Sequence, residues 1–175
     1  MTRIFLFCLL VPLALSSVAA ADEIYVPSNT PTTGGANNWP FNANGRPDWR
    51  YQLVIPATLL GKQAFTISDI AFAPVSSGTH AAAKLQVRMS HSTIPISTTF
   101  AANLPNPLQV LGVQKWKWAP VKDKWTPMGL TAPFNYNGKD NLTIEIRYTG
   151  GTISGGFTGT CHQPSGAHDR IWKYG

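Results

Sequence analysis

Cysteine is scarce in this 175-residue chain, which has only Cys8 and Cys161. Cys8 falls in an apolar N-terminal stretch that we expect to be removed, so Cys161 would remain alone. A single cysteine cannot form an intramolecular disulfide, and a disulfide-stapled fold is therefore excluded. We expect Cys161 to be buried, and pairing with another chain is the alternative.

Carboxylates are also few, with 8 Asp and Glu against 14 Lys and Arg and a net charge of +6. Glycosidase chemistry needs two placed carboxylates, and Glu145 alternates with apolar residues beside Arg147, where ion pairing accounts for it. The sequence contains no nucleophile elbow, P-loop or dinucleotide fingerprint. We therefore expect a protein that is not an enzyme and has no cofactor, and keep a polysaccharide-active enzyme as an alternative.

Apolar residues do not repeat with helical spacing over three turns, and only Pro56 to Gly61 predicts a short helical turn. Several segments instead alternate with a period of two, as in Leu85, Val87 and Met89, which is typical of half-buried strands. Segment 65–72 changes phase, and we expect a β-bulge at Ser68 and Asp69. The predicted strands are 51–55, 65–72, 84–91, 115–118, 141–148 and 170–174.

These short strands are separated by turn residues, and no helices are available to cover them. The pattern predicts an all-β fold, an antiparallel two-sheet sandwich that is jelly-roll-like and has at most one short helical turn. Segments 27–49 and 150–169 are rich in Gly, Pro, Asn, Thr or Ser and are expected to be long loops. We expect one domain over residues 22–175.

The N-terminus has the order of a secretory signal peptide over residues 1–21. Arg3 precedes an apolar run, Ile4 to Leu15, and small residues end at Ala21. The run is shorter than the ~20 residues that span a bilayer, so we expect cleavage after Ala20 or Ala21 and no membrane span afterwards. The expected location is extracellular or on the cell surface, with the periplasm left open.

Residues 115–125 combine lysines with tryptophans and allow two interpretations. Lys115, Trp116, Lys117 and Trp118 could bind a polyanion, with lysines meeting its charge and indoles stacking on rings. Alternatively, the segment is a β-hairpin with its turn near Lys122 and Asp123, its tryptophans in the core and its lysines in water. Strict alternation favours the hairpin.

Tryptophans in loops are candidates for sugar binding, because apolar pyranose faces stack on flat aromatic rings. Trp39 and Trp49 lie in the loop-like segment 27–49 and are the candidates for such a platform. Burial is the competing interpretation for each of them.

Metal-ligand residue types cluster near the C-terminus, at Cys161, His162, His168 and Asp169. These are ordinary zinc ligands, but their spacing matches no established motif. We therefore predict no metal site, with His162, His168 and Asp169 as the candidates should one exist. A Cys161 nucleophile is disfavoured, because adjacent residues on an extended chain point apart.

Four sequence segments are similar to segments of uncharacterised exported β-sandwich proteins of environmental bacteria. They are residues 50–60, 67–72, 97–103 and 134–142. The resemblance covers roughly residues 50–147. It implies the same exported sandwich fold and brings no activity or site residues with it.

The leader, the β pattern and the lack of a catalytic motif favour a non-catalytic surface module that contacts polysaccharide or cell-surface matrix. A self-assembling subunit of an extracellular appendage or coat is the alternative, since low charge density and Cys161 suit contacts between chains. We expect no nucleic-acid partner.

Overall fold

The computed structural model describes residues 22–26, 29–31, 40–41, 46–75, 77–154 and 169–174. Within these ranges the regular secondary structure is mostly β-strand, with two short helical turns. In chain order the elements are β1 (Trp49–Ile55), α1 (Ala57–Leu60), β2 (Phe65–Ile67), β3 (Ala71–Phe72), β4 (Thr79–Ser92), α2 (Phe100–Asn103), β5 (Leu108–Trp118), β6 (Thr126–Pro127), β7 (Phe134–Tyr136), β8 (Asn141–Ser154) and β9 (Asp169–Tyr174).

A five-stranded antiparallel sheet in the order β5-β4-β8-β1-β9 forms one layer. Its inner face carries the apolar residues of the alternating segments: Leu85, Val87 and Met89 are all fully buried. Ile144 and Ile146 are buried beside them on β8. The prediction that segments 84–91 and 141–148 form strands with one buried apolar face is confirmed.

Two small sheets, β2-β7 and β3-β6, form the second layer. Phe134 and Tyr136 of β7 are buried in the same core as the large sheet's inner face, and Phe65 and Phe72 pack against that core. The all-β, sandwich-like fold expected from the sequence is confirmed, with the second layer divided between two separate sheets.

The predicted turn between Pro56 and Gly61 is α1, but α2 was not predicted. Long-range and loop hydrogen bonds hold α2: the buried Asn103 side chain donates to the Ser97 carbonyl at 2.8 Å and accepts from the Ser97 N–H at 2.6 Å. The expectation of at most one helical turn is therefore corrected. No helix in the described ranges is long and apolar enough to cross a membrane.

Segment 65–72 is two strands rather than one bulged strand, because β2 pairs with β7 and β3 pairs with β6. Asp69 lies between them, and its carboxylate accepts the backbone N–H groups of Gly129 and Leu130 at 3.0–3.2 Å. The phase change thus marks the point at which the chain passes from one small sheet to the other.

The predicted hairpin over 115–125 is also corrected, since β5 belongs to the large sheet and β6 to a small one. The Trp118 indole N–H donates to the Pro127 carbonyl at 2.8 Å and so joins the two layers. Trp125 is half-buried rather than in the core, and its indole donates to the Asn29 side chain at 3.0 Å.

Candidate anion-binding face

The tryptophans proposed as ligand platforms lie in the core wherever the structure describes them. Trp49, Trp116 and Trp118 are 2%, 5% and 7% exposed. Trp49 stacks on Tyr148 with ring centroids 4.2 Å apart, and Trp118 packs against Phe41 at 4.7 Å. Burial was the competing interpretation for Trp49 and the favoured one for Trp116 and Trp118. None of the three is a surface platform, because rings buried between protein side chains cannot stack on a sugar.

The remaining sequence candidates divide into exposed lysines and residues outside the described ranges. Lys115 and Lys117 are exposed on β5, where Lys115 has a φ of +52°. Trp39, His162 and His168 lie outside the described residues. Asp169 begins β9, but its side chain is also outside them.

The outer face of the large sheet holds a fully buried carboxylate, Glu145. Arg88 donates to Oε1 through Nε at 2.9 Å and also through Nη2. Arg50 donates through Nε to Oε2, and Arg147 Nε lies 3.9 Å from Oε1. Glu145 does pair with arginine, as expected, but its close partners come from the two neighbouring strands. Buried carboxylates are tolerated when paired and hydrogen-bonded in this way.

A polar network continues from Glu145 to the connection between β4 and β5. The Gln52 amide donates to Glu145 Oε2 at 2.7 Å and to the Phe100 carbonyl at 3.0 Å, and it accepts from Asn103 at 3.1 Å. The Arg50 guanidinium lies 4.4 Å from the centre of the Phe100 ring. Among the described residues, this connection therefore covers only the part of the outer face around Gln52 and Glu145.

Three cations lie in one row across adjacent strands, beside the part of the face that the connection covers. Arg147 of β8 is directly opposite Arg50 of β1, and Arg50 is directly opposite Lys173 of β9. Like charges at directly opposed positions destabilise a sheet. Glu145, one row away, offsets only part of this repulsion.

The row borders a shallow cleft of about 500 Å³, lined also by Lys84, Gln86 and Asp48. The Asp48 carboxylate accepts the Gly150 N–H at 2.7 Å, which holds it at the end of the cleft. The cations around the cleft outnumber the carboxylates, so the local potential is positive and attracts anions. Arg147 keeps 46% of its side chain exposed and is accessible to a ligand.

Chemically, this face suits carboxylate or sulfate groups. Guanidinium groups bind planar and tetrahedral oxyanions through paired N–H donors, and an ammonium group adds a point charge. Glu145 fixes the Nε side of Arg50 and Arg88, which removes part of the conformational entropy that ligand binding would otherwise cost.

No signal in the sequence distinguished these residues. Arg50, Arg147 and Lys173 each occupy an ordinary polar position of an alternating strand. The register of three strands brings them together, and register is set by pairings between distant segments.

Comparison of the chain with protein-family models, curated proteins and solved structures found no match.

Proposed function

We propose that this protein is a non-catalytic extracellular module that binds an acidic polysaccharide on the outer face of its large sheet. The observation that supports this function is the row of three cations, Arg147, Arg50 and Lys173, in directly opposed positions on neighbouring strands. An anionic ligand would relieve the repulsion within this row, so binding and stability are coupled.

An extended polymer suits the row better than a single small ion. Neighbouring strands are about 4.8 Å apart, so the row spans on the order of 10 Å between its outer strands. Arg147 and Lys173 can each face a separate anionic group along a chain of sugars, while Arg50 between them stays paired with Glu145. The leader predicted over residues 1–21 would carry the protein to where such polymers occur.

The test compares Arg147→Gln/Lys173→Gln with Lys62→Gln/Lys124→Gln, which removes the same charge from exposed positions elsewhere. Arg50 is left in place because it pairs with Glu145. Titration with polygalacturonate should give at least a tenfold weaker affinity for the row variant, a loss of about 1.4 kcal/mol. Added salt should weaken binding of the parent more than binding of the row variant.

Three results would contradict the proposal: no binding of polygalacturonate by the parent, equal losses in both double variants, or equal affinity for uncharged dextran. Lys115→Gln/Lys117→Gln tests the rival site on β5. A loss confined to that variant would place the ligand on β5 and overturn the assignment to the row.

A self-assembling subunit is a second candidate, favoured by apolar side chains on both outer strands of the described sheet. Leu108 on β5 and Trp172 on β9 are 46% and 45% exposed. Exposed apolar residues on outer strands promote pairing with another chain.

A further inference from the structure

A second cavity, of about 460 Å³, lies on the opposite side of the large sheet, between the two layers. Its floor includes Leu53 of β1 and Ile144 of β8, which are directly opposite each other. Its roof includes Phe65 and Ile67 of β2. Sites for small molecules typically have volumes of about 300–1,000 Å³ and mainly apolar linings with a few polar groups.

Residues 22–26 border the mouth of this cavity together with Trp125. The Tyr25 ring lies 5.6 Å from the Trp125 ring, and Ile24 is 48% exposed. These residues are not in a β-strand, so no sheet ladder holds them in place. A segment held mainly by side chains can move aside to admit a ligand at low cost.

The charged groups that line this cavity are all carboxylates: Asp22, Glu23 and Asp69. Asp69 is bonded to backbone N–H groups, and Glu23 accepts a hydrogen bond from the Tyr25 hydroxyl. Both Asp22 and Glu23 are exposed at the mouth. Cleavage after Ala21 would add one α-ammonium group at Asp22, which leaves the carboxylates in excess. The mouth therefore favours a cation and disfavours an anion.

We infer that this cavity binds a cationic amphiphile, an alkylammonium molecule with its chain between the layers and its head group beside Asp22 and Glu23. This inference is independent of the polysaccharide proposal, because it concerns the inner side of the sheet and a ligand of opposite charge. A fatty acid of the same chain length would place its carboxylate against the same two side chains.

The experiment titrates the exported protein with dodecylammonium and with laurate, each below the concentration at which it forms micelles. Dodecylammonium should bind at least about tenfold more tightly, a ratio equivalent to about 1.4 kcal/mol. Asp22→Asn/Glu23→Gln should reduce that ratio to near one. Leu53→Trp should abolish binding of both amphiphiles, because the larger ring fills the floor of the cavity.

Leu108→Trp adds the same ring at an exposed site on β5 and should bind like the parent. If Leu53→Trp does not fold, Ala71→Leu fills the cavity from β3 by a smaller amount. The inference would be overturned if laurate bound as tightly as dodecylammonium. It would also be overturned if a folded cavity-filling variant bound dodecylammonium as well as the parent does. Polygalacturonate affinity, measured on the same variants, should not change, so the two proposals fail separately.

Discussion

His80 shows how a single residue ties stability to pH. It is fully buried on β4, with its ring 5.5 Å from Phe41 and 5.7 Å from Trp118. Burial lowers the pKa of His80 from 6.5 to about 4, although a hydrogen bond with the Phe41 backbone acts in the opposite direction. The folded protein thus disfavours the charged imidazolium in this aromatic surrounding.

Between pH 6.5 and pH 4 the unfolded chain binds a proton at His80 that the folded protein does not. The contribution of His80 to stability is therefore complete above pH 6.5 and declines as the pH falls, by up to about 3 kcal/mol. Urea unfolding at several pH values should show this decline, and His80→Phe should reduce it. An unchanged pH dependence in His80→Phe would show that other groups cause the decline.

At the scale of elements, two glycine turns give a matched comparison. Gly138, between β7 and β8, has a φ of +70°, and a Cβ there would lie 2.6 Å from backbone atoms of Gln63 and Ala64. Gly129, after β6, has a φ of +74° with open space around it. Alanine at Gly129 should cost about 1–2 kcal/mol of unfolding free energy through its backbone conformation alone.

Alanine at Gly138 should cost about 1–3 kcal/mol more, because the backbone of residues 63 and 64 must also move. Denaturant unfolding of Gly138→Ala and Gly129→Ala measures the difference directly. Equal losses in the two variants would mean that the Gly138 turn is free to move away from the neighbouring backbone.

The same scale shows what the sequence can and cannot predict. The alternation of apolar and polar residues identified β4 and β8, because the side chains of each strand themselves determine which of its faces is buried. It did not show that segment 65–72 serves two sheets, since that depends on which distant strands pair with β2 and β3. The α2 turn was missed for a similar reason: Asn103 is held by Gln52, 51 residues away.

For the whole molecule, the candidate site was harder to predict than the fold. The sequence singled out tryptophans by residue type, and packing buried Trp49, Trp116 and Trp118 in the core. Arginine and lysine on alternating strands look ordinary one at a time. They form a site only because the strand order β8-β1-β9 aligns Arg147, Arg50 and Lys173. Local sequence patterns do not specify that order.

Strand order also limits self-assembly, because the outer strands of the described sheet differ. β5 has the exposed apolar Leu108, but it also carries exposed Lys115 and Lys117 and a positive φ at Lys115, and these features oppose pairing with another strand. β9 carries the exposed Trp172. Association should therefore join β9 to β9 of a second copy, and such a two-fold contact stops at a dimer. A filament would need β9 to pair with β5.

Each β9 carries Arg170 and Lys173 against the single carboxylate Asp169, so the net positive charges of two β9 strands side by side oppose the dimer. We expect a concentration-dependent dimer in light scattering, strengthened by added salt, whereas salt weakens polyanion binding. Trp172→Lys should leave a monomer, and Leu108→Lys on β5 should leave the dimer intact. A monomer at every concentration, filaments, or a dimer lost in Leu108→Lys would contradict pairing through β9. The opposite responses to salt separate the two surfaces, since the dimer contact joins two positively charged strands whereas the row binds a ligand of opposite charge.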